Sequence, residues 1–166
     1  MEFVSLALDI TQTALAVCEV AASASPTDRQ SCLPSWCCVY PLRPRIDPSS
    51  FGYMAFAKIP RAACGCAGIF TYELLSSSTR TSTEQIAVMF KVPFDQNLKS
   101  NAYAVGVFDI SKECNRYLFQ DMTKGLDTTF IRGKAKVPVL IHRSRQVTIM
   151  AAISMLCHKL GFHNVV

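Results

Sequence analysis

Residues 83–109 read TEQIAVMFKVPFDQNLKSNAYAVGVFD and contain two apolar runs separated by a polar loop. The first run, residues 86–92, is rich in Val, Ile and Phe and stops at Pro93, which cannot donate a backbone hydrogen bond to a neighbouring strand. The second run, residues 102–108, has a period of two, so its odd-numbered residues share one face. The stretch therefore predicts a β-hairpin with a long loop, and such loops often carry binding functions.

The remainder of the chain predicts further short strands and one helix in addition to those of the hairpin. Strands are expected over residues 53–59, 65–75, 137–141 and 147–157, with a turn between the last two. A helix is expected over residues 112–122, with Ser111 as its N-cap. Short strands separated by turn signals indicate a mainly β protein, most simply a β-sandwich.

The loop between the two runs of the hairpin carries a recognisable motif, VPFDQNLKSN. It resembles the central signature of the actinoporins, the small pore-forming toxins of sea anemones with relatives in molluscs and fish. The matching residues are Val92, Pro93, Phe94, Asp95, Asn97, Ser100 and Asn101. The resemblance implies an actinoporin-like β-sandwich flanked by two α-helices, an N-terminal amphipathic helix and a second helix near residues 112–122. It also implies a cytolysin that binds membranes, forms homo-oligomers and opens a cation-permeable pore.

The first 22 residues allow several interpretations. A signal peptide would have a basic start, but this segment carries Glu2 and no Lys or Arg, and Asp9 interrupts its apolar stretch. An amphipathic helix fits better, either packed on a core or, as the resemblance implies, able to enter a bilayer. The residues assigned to this membrane-inserting helix are Phe3, Leu6, Leu8, Asp9, Ile10, Leu15 and Val17. Acidic residues lining a pore would favour cations.

The resemblance also indicates where a lipid headgroup would bind. The corresponding residues here are Lys91, Pro93, Phe94, Tyr103 and Phe119. Family members hold phosphocholine, for example of sphingomyelin, in an aromatic cage, but several ring positions of that cage carry other residues here, such as Gln96 and Thr123. A desolvated ring contributes up to about 2 kcal/mol to binding a quaternary ammonium. Lys91, Lys99 and Lys124 suggest anionic lipid instead, although ordinary solvated lysines would look the same.

Length and composition indicate a single domain of 166 residues, half of them apolar, with a formal charge of +5. Within it we distinguish an N-terminal helix (1–22), a divergent segment rich in Pro and Cys (23–51) and the sandwich body (52–166). The eight cysteines include no CxxC pair, which argues against zinc. Disulfides are possible in a secreted chain, but we expect the cysteines to act mainly as small buried apolar residues.

The sequence offers little that would support catalysis, a cofactor or nucleic-acid binding. The three histidines lie in a turn and a tail, and no nucleophile, base or glycine-rich phosphate loop forms a known motif. The basic residues lack interleaved aromatic residues. The leading interpretation is a secreted pore-forming protein that acts on a target membrane, with a cytoplasmic location as the alternative. A non-lytic module of the same fold that binds lipid or glycan is the second interpretation, and a chain that does not fold cooperatively is the third.

Overall fold

The protein is described by a computed structural model, which covers residues 2–11, 15–22, 27–34, 38–40, 45–46, 50–57, 65–76, 79–93, 95, 98–134, 139–145 and 147–153. Side chains are described for Ile46 and for most of these residues from 65 onward. The strands are β1 (Glu2–Thr11), β2 (Leu15–Ala22), β3 (Thr27–Pro34), β4 (Cys38–Tyr40), β5 (Arg45–Ile46), β6 (Ser50–Ala57), β7 (Cys66–Leu75), β8 (Ser82–Val92), β9 (Ala102–Asp109), β10 (Phe130–Lys134), β11 (Leu140–Arg143) and β12 (Val147–Ile153). The helix α1 (Arg116–Lys124) lies between β9 and β10.

The strands form two six-stranded sheets. The terminal sheet, which holds both the first and the last described strand, has the order β11-β12-β1-β2-β6-β4. The central sheet has the order β10-β9-β8-β7-β3-β5 and contains the predicted hairpin β8–β9. Neighbouring strands pair antiparallel except for β1 and β12, which run parallel. Among the described strands, β1–β2, β7–β8, β8–β9, β9–β10 and β11–β12 are antiparallel pairs of consecutive strands, and the other antiparallel pairs join strands further apart in the chain.

A continuous apolar core joins the two sheets. From the central sheet it takes the alternate residues of β7, β8 and β9, and from the terminal sheet residues of β11 and β12. Its largest fully buried rings are Phe70, Phe90 and Tyr103. The Tyr103 hydroxyl donates a hydrogen bond across the core to the carbonyl oxygen of Ala151, at 3.5 Å. The predicted mainly β sandwich is therefore confirmed.

The predicted helix near residues 112–122 is also confirmed, although it begins later than expected. Its N-cap is Asn115, whose side-chain oxygen accepts a hydrogen bond from the amide of Leu118, at 3.0 Å. Ser111, the predicted cap, instead donates its backbone N–H to the Asp109 carboxylate, at 2.9 Å. Leu118 and Met122 are buried against the central sheet, so α1 covers the face of that sheet which does not contact the terminal sheet.

The predicted N-terminal amphipathic helix is wrong, because residues 2–11 and 15–22 form the strands β1 and β2. In β1, Val4, Leu6, Leu8 and Ile10 alternate with Ser5, Asp9 and other residues, which is the period of a strand. The segment contains so many apolar residues that a helical period fits as well, and sheet pairing decides between the two. Leu6, for example, pairs with Val20 on one side and with Ala151 on the other.

The correction applies to every residue assigned to a membrane-inserting helix. Phe3, Leu6, Leu8, Asp9 and Ile10 lie in β1, and Leu15 and Val17 lie in β2. Since β1 is paired along both edges, releasing it would break two ladders of backbone hydrogen bonds. A backbone N–H or C=O group that loses its hydrogen-bond partner away from water raises the free energy of the protein. The first 22 residues are therefore built into the middle of the terminal sheet.

The divergent segment of residues 23–51 contains β3, β4, β5 and the start of β6. The predicted strand at 53–59 corresponds to β6, and the last two predicted strands correspond to β11 and β12. The predicted continuation of the last strand to residue 157 lies outside the described residues. β10, between α1 and β11, was missed.

Candidate functional site

The two faces of the β8–β9 hairpin have different surroundings. Phe90 and Val92 point into the core between the sheets, whereas Met89 packs in the cluster beneath α1. Because successive strand residues alternate, Lys91 lies on the helix side of the central sheet, where its side chain is exposed. Pro93, two residues further along the chain, is half-buried. Phe94, the next predicted headgroup residue, lies outside the described residues.

Lys91 belongs to a row of four residues that cross the central sheet side by side. Ala67 of β7 pairs with Lys91, Lys91 pairs with Ala102 of β9, and Ala102 pairs with Lys134 of β10. We call these four residues the lysine row. Strands in a sheet are about 4.8 Å apart, so the backbones of Lys91 and Lys134 are separated by about 10 Å. Two exposed lysines thus stand on either side of a small alanine.

The helix α1 crosses the strands over the adjacent row, which consists of Ile69, Met89, Ala104 and Arg132. Just before the helix, the Cys114 thiol donates to the Ile69 carbonyl, at 3.8 Å. Near its end, the Arg132 guanidinium donates to the carbonyl oxygen of Thr123. These two contacts hold the helix across the width of the sheet. The lysine row therefore lies beside the helix, with Lys91 and Lys134 exposed and the two alanines half-buried.

An ion pair at one side of α1 indicates the direction in which Phe119 faces. On one side, Asp121 approaches the Lys112 ammonium, at 3.8 Å, in the connection that follows β9. Phe119 lies about 160° around the helix from Asp121, because each helical residue turns the chain by about 100°. It is half-buried and packs against the cluster beneath the helix. Phe119 therefore faces away from Lys112, toward the side of α1 on which the lysine row lies.

Tyr103 is wrong as a headgroup residue. Its side chain is 0% exposed and lies in the core between the sheets, on the opposite face of the central sheet from Lys91 and Phe119. Burial raises the pKa of its hydroxyl, which is consistent with a neutral group that contacts no lipid. The reason is the parity of the strand: Ala102 pairs with Lys91, so residue 103 must face the other way.

The loop that joins β8 to β9 presents an apolar and a cationic side chain to solvent. The amide of Leu98 donates to the Asp95 carboxylate, at 3.4 Å, and the amide of Lys99 donates to the Asp95 carbonyl, at 3.2 Å. This turn leaves Leu98 80% exposed, with the exposed Lys99 beside it. Asn101, where the loop ends, is buried. The turn therefore holds Leu98 and Lys99 outward at the end of the sheet where the lysine row lies.

The charge of this surface is mainly positive, with Lys91, Lys99 and Lys134 exposed near one loop carboxylate, that of Asp95. Across the described ranges, the ion pair found is that of Lys112 with Asp121, and neither Lys91 nor Lys134 takes part in one. Lys134 was missed at the level of sequence because β10 was missed, and without that strand nothing placed residue 134 beside Lys91. The sequence signal for β10 is the alternation of Phe130, Arg132 and Lys134 with Ile131 and Gly133.

The described part of the chain contains neither a cluster of metal-ligating side chains nor a membrane-spanning helix. No group of three or more His, Cys, Asp or Glu side chains is arranged there to hold a metal ion. Nor does any helix there combine the length and apolar character needed to cross a bilayer.

The fold and this surface define a β-sandwich protein with one helix laid across an outer face. Its sequence matches the profile of the family described as sea anemone cytotoxic protein over residues 49–138, which is more than half of the chain. The protein therefore belongs to this family, that of the actinoporins. The matched segment includes the β8–β9 hairpin, α1 and β10.

The proteins similar to the chain include a toxin and a lipid binding protein of known structure. DELTA-alicitoxin-Pse1b of Phyllodiscus semoni is 35% identical over 60 residues, which cover 36% of this chain and 24% of that toxin. The chain thus matches about a quarter of the length of this relative. The crystal structure of the lipid binding protein Nakanori aligns with 92% of this chain and 69% of its own, with a TM-score of 0.46 and 10% sequence identity.

Proposed function

We propose that the protein binds membrane lipids through the surface formed by the lysine row, Phe119 and the loop containing Leu98. The observation that carries the proposal is the pair of exposed lysines, Lys91 and Lys134, in the lysine row beside α1. The chain that carries them belongs to the sea anemone cytotoxic protein family. An exposed apolar side chain and exposed lysines at one end of a rigid sandwich suit an interface that is apolar inside and anionic outside.

Each part of the surface would contribute modestly. Burying a leucine side chain such as Leu98 below the headgroups is worth about 1.5–3 kcal/mol. A lysine near an anionic membrane surface adds about 1 kcal/mol. Because the sandwich is rigid and the turn at Asp95 positions Leu98, little ordering is needed on binding. Together these terms predict reversible binding that depends on both lipid charge and Leu98.

A second candidate function is lysis of membranes by a homo-oligomeric, cation-permeable pore, which the description of the family as cytotoxic favours. A helix released from the first 22 residues is no part of this candidate, because those residues form β1 and β2. A secreted protein acting on the membrane of a target cell would suit either candidate. Haemolysis and a preference for sphingomyelin follow only from the second candidate and need direct tests.

The experiment is sedimentation with vesicles that contain an entrapped dye. Vesicles of phosphatidylcholine with sphingomyelin and vesicles that also contain an anionic phospholipid should be compared. Leu98→Ser should weaken binding, whereas Leu126→Ser should not, although Leu126, in the connection between α1 and β10, is even more exposed. Failure of the folded protein to bind any vesicle would refute the proposal. Binding with release of dye would favour the pore, and binding without release would favour the non-lytic module.

A further inference from the structure

We infer that the lysine row selects an anionic phosphate group of a lipid headgroup in preference to a zwitterionic choline headgroup. This inference rests on the proposed function and gives it a ligand class. It is carried by Lys134, which the sequence alone did not bring to the site, and by its register opposite Lys91 across Ala102.

The first argument concerns geometry. The backbones of Lys91 and Lys134 are about 10 Å apart, two strands away from each other. Lysine carries its ammonium on a flexible stem of four carbons, so both groups can converge on one phosphate held above Ala102. The small side chain of Ala102 leaves room for a headgroup at the sheet surface, since a larger residue there would fill the space between the two lysines.

The second argument concerns charge. Arg132, the other exposed cation on the same face of β10, already donates to the carbonyl oxygen at Thr123. Lys91 and Lys134 form no ion pair with any residue that the structure describes. Two ammonium groups held side by side without a carboxylate repel each other, and an anion between them removes that repulsion. A phosphate group, which accepts charge-assisted hydrogen bonds, suits this arrangement.

The third argument concerns what the site rejects. A choline group is bound by the faces of several aromatic rings. Phe119 supplies one half-buried ring beside the row, but Tyr103 lies in the core on the opposite face of the sheet. A quaternary ammonium placed here would instead meet Lys91 and Lys134, which carry the same charge. Charge repulsion of this kind is an effective way to discriminate against a ligand.

The test uses the full chain and three vesicle compositions: phosphatidylcholine alone, phosphatidylcholine with phosphatidic acid, and phosphatidylcholine with a sulfated lipid at equal charge. We expect the tightest binding to phosphatidic acid. Lys91→Gln and Lys134→Gln should each weaken that binding about fivefold, which corresponds to about 1 kcal/mol. Lys112→Gln, which removes the same charge on the opposite side of α1, is the matched control and should change binding less than twofold.

The outcomes separate the inference from the proposed function. Equal binding to all three vesicles, with no effect of Lys91→Gln or Lys134→Gln but a loss with Leu98→Ser, would overturn the inference and leave lipid binding in place. Equal losses for Lys112→Gln and Lys134→Gln would also overturn it, because general net charge would then explain the binding. Inorganic phosphate that shifts the NMR signals of residues 91 and 134, with no binding to any vesicle, would overturn both lipid proposals and assign the site to a soluble phosphate.

Discussion

The two faces of the central sheet are built from different side chains. Toward the terminal sheet, β7, β8 and β9 present large residues such as Phe70, Phe90 and Tyr103, and these fill the core. Toward α1, the same strands place small residues such as Ala87 and Ala104 among larger ones such as Met89, and the small residues allow the helix to lie close. The bulky face determines stability, and the small face determines where the helix sits and which row remains open. Mutations on the two faces should therefore have different consequences.

The largest effect is expected from Phe90→Ala, on the bulky face. The ring is fully buried between the sheets, so its removal leaves a cavity and should cost about 3–5 kcal/mol. Urea denaturation followed by tryptophan fluorescence or circular dichroism measures the change in the free energy of unfolding. Tyr117→Ala, which removes a ring of α1 that is 75% exposed, should stay within about 0.5 kcal/mol of the wild type. Similar losses for the two variants would contradict the division into faces.

The next effect is expected from Gly106→Ala, on the small face. A Cβ atom at this position would lie 2.5 Å from the Cβ of Phe130 and 2.5 Å from the carbonyl oxygen of Thr129, so the backbone of β10 would have to move. Overpacking of this kind costs about 1–3 kcal/mol. Thermal unfolding should show the loss, and vesicle binding should weaken because Lys134 moves with β10.

Gly133→Ala on the opposite face provides the comparison for Gly106→Ala. There the nearest atom to a new Cβ is the Cδ2 methyl of Leu140, at 2.9 Å, and a side-chain end can move more easily than backbone. We therefore expect a smaller loss of stability than for Gly106→Ala. A larger loss would show that the corner between β10 and β11 is tighter than the contact between β9 and β10.

A smaller effect is expected from Tyr103→Phe. This change removes the hydrogen bond to the carbonyl oxygen of Ala151, worth about 0.5–1.5 kcal/mol, and keeps the ring in the core. Vesicle binding should remain unchanged, because the hydroxyl points away from the lysine row. Loss of binding by a variant that melts normally would show that Tyr103 contacts lipid after all.

The last prediction concerns the pH dependence of stability and a buried histidine of the terminal sheet. His142 of β11 pairs with the buried Ile149, and burial lowers the pKa of His142 below its ordinary value of 6.5. The unfolded chain therefore binds this proton more readily than the folded protein, so the free energy of unfolding should fall as pH is lowered from 6.5 toward the folded-state pKa. His142→Gln should flatten this part of the stability profile. An unchanged profile would assign the pH dependence to other groups.

The central hairpin and the helix could be predicted from sequence for clear physical reasons. Pro93 ends the first run, and alternation in residues 102–108 fixes the second as a strand. The buried pair Leu118 and Met122, one helical turn apart, fixes α1. The same alternation places residues 102 and 103 on opposite faces, but only the pairing of Lys91 with Ala102 excludes Tyr103 from a site that contains Lys91.

Two other regions could not be predicted from local pattern. In residues 2–11 the apolar residues are so dense that helical and strand periods both fit, and pairing with β12, distant in sequence, decides the outcome. β10 is only five residues long and contains Gly133, so its own sequence is a weak strand signal. Its place beside β9 depends on α1 and the following turn, and Lys134 could enter the site only once that place was known.

The parallel pairing of β1 with β12 also determines when the molecule can be completed. Glu2 lies beside Val147, and Leu8 lies beside Ile153, so the second strand edge of β1 is satisfied only by residues far downstream in the chain. The hairpin β8–β9 can form early from neighbours in sequence. The terminal sheet, in contrast, is complete only when residues 2–8 pair with residues 147–153. Such non-local pairing slows folding and leaves an exposed apolar strand during the delay. We therefore expect nascent chains that stop before residue 147 to be captured by chaperones or to aggregate.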